Sequence, residues 1–236
     1  MFPLIAMGDQ LHVAVAANFK ATLQKLAPLF EAQTGHQLLI SSGSTGKLYA
    51  QITHGAPFQV FLSADQQRPI RLAESTLALS ATRFTYATGQ LALYVPDGSD
   101  RPIGPDYLTT NNPQRVALSN PKVAPYGRAA KETLHTIQLW ESYQGKMAFG
   151  ENVGQTLAFV ASGSVEAGFV ALSQLMRLQV DANRYWIIPQ THYAPLHQDA
   201  ILLTQGEKSP AAWEWMAFLR SPLARTTIQQ MGYTLP

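Results

Sequence analysis

Cysteine is absent from all 236 residues. That absence excludes disulfides, thiolate nucleophiles and cysteine-ligated metals, while leaving the cellular compartment open. Charge is sparse as well: 14% of residues are Asp, Glu, Lys or Arg, and their formal sum is only +2. There is no basic run and no interleaving of aromatic with basic residues. A nucleic-acid partner is therefore not expected, because gripping a phosphate backbone needs concentrated Lys and Arg. No apolar stretch approaches the roughly 20 residues of a membrane span. Repeats and low-complexity tracts are missing too.

Chemistry has few anchors. The histidines at 12, 36, 54, 135, 192 and 197 contain no i, i+4 pair, so no metal site is expected. No Gly-x-Ser-x-Gly elbow is present, which leaves hydrolase chemistry without a nucleophile and argues against an enzyme. "GSTGK" lacks the glycine spacing and the final Ser or Thr of a phosphate-binding loop, so Lys47 reads as a solvated helix residue. Trp213, Trp215 and Met216 read as helix packing. The first eight residues, "MFPLIAMG", are apolar and uncharged; they lack the basic leader and the length of a signal peptide.

What is present describes a globular chain: 46% hydrophobic residues and enough length for one large domain or two medium ones. "LHVAVAANF" reads as a buried strand, His12 to Ala16. It runs into a helix whose apolar face is Phe19, Leu23, Leu26 and Phe30, with Asn18 as N-cap, Gly35 as stop and Pro28 as a kink. "HQLLIS" is a second strand, a helix from about Gly46 to His54 follows, and "FQVFLSAD" is a third strand. This alternation implies a parallel sheet with helices on its faces. After the turn-rich "DGSDRPIGPDYLTTNNPQ" a second unit repeats the theme. Its strands are "QLALYVPD", "RVALSN", "EAGFVAL" and "RYWIIP", with helices at "GRAAKETLHTI" and from about Val153 to Gly163. "HQDAILL" is a further strand, and two helices separated at Pro222 end the chain. The expected architecture is two α/β lobes, residues 10–88 with 198–236 and residues 89–197.

One device recurs. In "SSGSTG", four hydroxyl side chains and two glycines crowd into six residues just where a helix begins. Asn18, Thr45, Tyr126 and Val153 all stand at loop-to-helix junctions. In open α/β sheets such junctions converge beyond the carboxyl ends of the strands. Each helix start offers unsatisfied N–H groups and the positive end of a dipole worth roughly half a charge. Several aimed at one point can hold a small anion without any Lys or Arg.

The segments "VAVAANF", "SSGSTGKLYAQITHGAPFQVFLSAD", "APYGRAAKETL", "GENVGQTLAFVASGSVEAGFVAL" and "FLRSPLARTTIQQMGY" resemble the periplasmic molybdate-binding proteins of ABC transporters, from about Leu11 to Tyr233. "GAPFQVFLSAD" carries the resemblance most strongly. It implies the type II two-lobed periplasmic-binding-protein fold, each lobe a mainly parallel sheet flanked by helices with ligand in the cleft between them. It further implies capture of molybdate or tungstate in the periplasm, delivery to a membrane permease, a monomeric protein and no cofactor.

Carried over by position, the resemblance puts oxyanion contacts on Asn18 (main-chain N–H and side-chain amide), Thr45 with adjacent Ser44, Tyr126, and the main-chain N–H of Val153. Some relatives donate a tyrosine phenol from the strand that here is "EAGFVAL", where this chain has Ala171; a phenol from Tyr126 is the expected substitute. Glu151 is expected to point away from the site. The rival readings are a binding protein for sulfate or phosphate and the effector-sensing part of a transcription regulator. For the regulator, no DNA-binding segment is expected before His12.

Overall fold

The computed structural model describes residues 8–98 and 102–236, so the reading of the apolar start at 1–7 and part of the turn-rich stretch at 99–101 lie outside the described residues. Strands β1 (Gln10–Ala16), β2 (Gln37–Gly43), β3 (Val60–Leu62) and β4 (Phe84–Gly89) alternate with helices α1 (Lys20–Thr34), α2 (Thr45–Thr53) and α3 (Gln67–Glu74). Next come β5 (Leu91–Tyr94), α4 (Tyr107–Thr110), β6 (Val116–Ser119), α5 (Pro125–Thr136), α6 (Trp140–Tyr143), β7 (Met147–Gly150) and α7 (Val153–Ala161). The chain continues through β8 (Ala167–Ala171), α8 (Leu172–Leu178), β9 (Tyr185–Ile187), β10 (Leu196–Leu202), α9 (Pro210–Phe218) and α10 (Pro222–Gln230).

The strands form two five-stranded sheets, ordered β2-β1-β3-β10-β4 and β7-β6-β8-β5-β9. β1 pairs in parallel with β2 and β3, whereas β10 is antiparallel to β3 and β4. The second sheet repeats this: β6 is parallel to β7 and β8, and β5 is antiparallel to β8 and β9. Four strands of each sheet thus run one way, as expected, but the sheets are mixed. The reversed strand in each, β10 or β5, is the one that has just arrived from the other sheet. The crossings are the short step Gly89–Leu91 and the segment between Ile187 and Leu196.

Burial explains the layering. Leu11, Val13, Ala14 and Val15 of β1 are all fully buried, as a strand covered on both faces must be. Val13 and Val15 pack with Phe19, Leu23 and Phe30 of the α1 side and with Trp215 of α9. Ala14 faces the other layer, with Leu48 and Ile52 of α2 and Leu72 of α3. β2, at the edge, shows the alternating exposure of a strand covered on one face. Trp215 and Met216 are core residues, but Trp213 is half-exposed and departs from the packing expected of it.

One local expectation is corrected. α1 starts at Lys20 with Phe19 in the cap position and no side-chain cap, so Asn18 is not its N-cap. Its amide is committed elsewhere, as described below. The helix runs on past Pro28 to Gly35, whose φ of 78° is the left-handed stop that glycine accepts readily. β4, α3, α6, β7 and α8 were not anticipated from the sequence, and the short helix α4 lies within the stretch read as turns.

Candidate functional site

Because the two sheets share one strand order, the four junctions fall into two matched pairs. The loop after β1 corresponds to the loop after β6, and the loop after β2 to the loop after β7. All four meet. Asn18, Ser44, Thr45, Tyr126 and Val153 line a single small cavity. Its volume is about 10 Å³, room for a species comparable to one water or a compact ion. No lining residue is charged; the rest of the wall is largely alanine, glycine, proline and Asn152.

Local hydrogen bonding decides which N–H groups are left for the cavity. At the start of α2, Ser44 Oγ accepts from Lys47 N and Val123 O accepts from Gly46 N at 2.9 Å. At the start of α7, Asn152 Oδ1 accepts from Gly154 N at 2.9 Å and Gln155 N at 3.1 Å. The second and third helical N–H groups are thus satisfied at each start, at α7 by the cap alone and at α2 by the cap together with Val123 O, and the first, Thr45 or Val153, is left free. In the loop after β1, Ala17 N donates to Gly43 O and Phe19 N to Ala16 O, passing over Asn18. At α5, Pro125 has no N–H to offer and Ala124 provides no side-chain cap. Among the described residues, the main-chain N–H groups of Asn18, Thr45, Tyr126 and Val153 find no protein acceptor. Four donors, three in the first turns of α2, α5 and α7 and one in the loop after β1, thus remain for an anion.

Three hydroxyls add to them. Thr45 Oγ1 accepts from Ala64 N at 3.2 Å, Ser44 Oγ from Lys47 N at 3.4 Å, and Tyr126 Oη from Gln198 Nε2 at 3.4 Å. In each case the oxygen is the acceptor and its own proton stays available. Burial pushes the Tyr126 phenol well above its ordinary pKa, with Tyr233, Tyr193 and Tyr86 adding to the rise and the Gln198 hydrogen bond opposing it. The phenol therefore stays neutral and protonated around pH 7. No tyrosine stands at Ala171, which ends β8 opposite Leu91 and is fully buried.

The expected side-chain donation from Asn18 does not fit. Its Nδ2 already donates to Gln198 Oε1 at 2.9 Å and to Tyr233 Oη at 3.2 Å, which uses both amide protons. Only its main-chain N–H remains. Glu151 lies outside the cavity wall and pairs with Lys47 at 2.9 Å across the mouth of the cleft. Lys47, read as merely solvated, is thus one half of a bridge between the lobes. A second bridge runs from Arg128 to Asp65 at 3.6 Å, and Asp65 also holds Arg68.

Sequence reasoning missed Asn152, whose cap frees Val153, and the alanines at 17, 64 and 124 that let main chain approach the cavity. It also missed Gln198 and Tyr233 behind Asn18. A polar cap before Val153 was legible as "EN"; nothing local marks Gln198, 180 residues away from Asn18.

The chain matches the family model described as bacterial extracellular solute-binding protein over residues 11–234. It is 40% identical over 237 residues to the molybdate-binding protein ModA of Azotobacter vinelandii, covering 98% of this chain and 92% of that protein. It is 37% identical to the ModA of Rhodobacter capsulatus, over 98% of this chain and 90% of the relative. Among solved structures, the periplasmic molybdate-binding protein of Azotobacter vinelandii superposes with a TM-score of 0.91 at 37% identity, covering 96% of this chain and 99% of that one.

Proposed function

The chain belongs to the bacterial extracellular solute-binding protein family, and on that premise we propose that it captures molybdate, and equally tungstate, in the periplasm for an ABC importer. The relatives' named ligand supports this reading. The observation that carries it is the cavity itself: small, walled mostly by buried residues, and furnished with neutral donors alone. In this reading the four free N–H groups and the hydroxyls of Ser44, Thr45 and Tyr126 grip a tetrahedral dianion. The lobes comprise residues 10–88 with 198–236 and residues 89–197, and the protein works as a monomer that hands its cargo to a membrane permease.

Physical chemistry explains the choice of anion. Each hydrogen bond to a charged group contributes about 1.5–3 kcal/mol. About seven of them, less desolvation and lobe-closure costs, leave roughly −8 to −12 kcal/mol, or micromolar to nanomolar binding. Phosphate near neutral pH carries a proton and needs an acceptor, and the wall holds no carboxylate. Sulfate has the right charge but shorter bonds, so donors spaced for the larger anion leave some bonds to it unmade. Tungstate is nearly the size of molybdate. Titration calorimetry on dialysed protein tests the reading: molybdate and tungstate release heat with similar affinities, sulfate and phosphate bind far more weakly. Absence of heat with molybdate would sink it.

A further inference from the structure

Gln198 carries no sequence motif, yet it sits at the meeting point of the two lobes. It lies on β10, just after the chain returns from the second sheet, and is fully buried. The ladder between β10 and β4 is irregular here: Gln198 pairs with Ala87 and Asp199 with Thr85, so Tyr86 is left over as a bulge. Tyr86 Oη then reaches Gln198 Oε1 at 3.1 Å. The same Oε1 accepts from Asn18 Nδ2, while Nε2 donates across the cleft to Tyr126 Oη.

The direction of this chain of bonds is fixed from one end. Tyr233 Oη donates its single proton to the main-chain oxygen of Asn18 at 2.9 Å. Its oxygen must then accept from Asn18, so the Asn18 side chain presents Nδ2 and not Oδ1. Gln198 must in turn present Oε1 to that Nδ2, which leaves Nε2 facing Tyr126. An N–H aimed at the phenol oxygen forbids the phenol proton from pointing back. Gly89 makes the contact possible, because a Cβ there would lie 2.1 Å from Tyr126 Oη and 2.6 Å from Gln198 Nε2.

We propose that Gln198 is a positioning residue: it turns the Tyr126 hydroxyl proton into the cavity and so makes that phenol a donor to the bound anion. The inference rests on Tyr126 being a ligand contact, as read above. Glutamine suits the task because its amide donates on one side and accepts on the other without adding charge beside a dianion. Glutamate has the same shape but would accept the phenol proton and repel the ligand.

A double-mutant cycle on the full chain tests it, with molybdate affinity read by calorimetry. Tyr126→Phe is expected to weaken binding about 10-fold or more, and Gln198→Leu by a similar factor. Gln198→Leu should cost clearly less in the Tyr126→Phe background, since there is no proton left to orient. Gln198→Glu, which keeps the volume, should bind at least about 100-fold more weakly and serves if the leucine variant does not fold. Equal losses from Gln198→Leu in both backgrounds, which a purely structural role predicts, would overturn the proposal, as would wild-type affinity in Gln198→Glu. Wild-type affinity in Tyr126→Phe would instead overturn the reading of Tyr126 as a contact.

Discussion

The two lobes are wired alike and furnished differently. Both sheets have three parallel strands followed by a reversed strand and a last one, and both offer the cavity one junction after the second-ranked strand and one helix start after the edge strand. In the first lobe the helix start is a run of hydroxyls, and Thr45 supplies a side chain as well as an N–H. In the second lobe the equivalent position is Val153, whose side chain packs in the lobe core and which has only its N–H to give. Glycines in the two first turns also differ. Gly46 of α2 meets Val123 O of the opposite lobe, whereas Gly127 of α5 meets Ser119 O of its own β6. Topology decides where donors converge; residue choice at each junction decides whether a position serves binding, closure or internal packing.

Gly127→Ala probes the internal-packing end of this contrast and should have the largest effect. The added Cβ would stand 2.0 Å from Ser119 O and 2.7 Å from its carbonyl carbon, both backbone atoms that cannot swing aside. Lifting α5 off β6 is expected to cost about 3 kcal/mol of stability or more, read as a lowered melting temperature. A variant melting like wild type would mean that the second lobe is not packed as tightly as described.

Thr45→Val and Val153→Ala compare the two helix starts directly. Removing the Thr45 hydroxyl should weaken molybdate binding by about 2 kcal/mol, since in the proposed reading it deletes a bond to a charged ligand. Val153→Ala leaves the N–H in place, so its affinity should change by less than about 0.5 kcal/mol. Calorimetry on both variants checks this; equal losses would erase the asymmetry between the lobes.

Gly46→Ala addresses closure. Its Cβ would lie 2.9 Å from Val123 O and 3.0 Å from Arg68 Nη2, so the lobes could not approach fully although each would fold unhindered. We expect about 1–2 kcal/mol less binding free energy with an unchanged melting temperature of the ligand-free protein, the reverse of Gly127→Ala.

Much of this was legible in the chain, and the limits have physical causes. Helix starts announce themselves through local chemistry, which is why the junctions at Thr45, Tyr126 and Val153 could be named and now line one cavity. The interior strand β1 was legible because full burial on both faces leaves a continuous apolar run. β4 was not, although "FTYATG" has aromatic residues two apart, because Gly and Thr blur its pattern and a bulge at Tyr86 breaks its register. Asn18 shows the other limit. Its position was found, but the fate of its amide depends on Gln198 and Tyr233, which only the return of the chain through β10 and the C-terminal segment brings near. Long-range partners decide whether a polar side chain faces ligand or scaffold.

The two bridges across the cleft give the smallest expected effect and the finest test. Lys47 and Glu151 sit 2.9 Å apart, but their side chains are 51% and 63% exposed, so water and salt weaken the pair. Asp65, by contrast, is 9% exposed and holds Arg68 of its own lobe together with Arg128 of the other. If closure depended on the exposed pair, Lys47→Gln would cost as much as Gly46→Ala. Solvent screening predicts otherwise: a loss of about 0.5 kcal/mol in molybdate binding at low salt, vanishing as ionic strength rises and the Debye length falls toward about 3 Å at 1 M. Titrating wild type and Lys47→Gln at low and high salt reads this directly. A loss that persists at 1 M salt would mean that the pair is shielded when the lobes close on ligand, and that the mouth of the cleft is drier than its exposed side chains indicate.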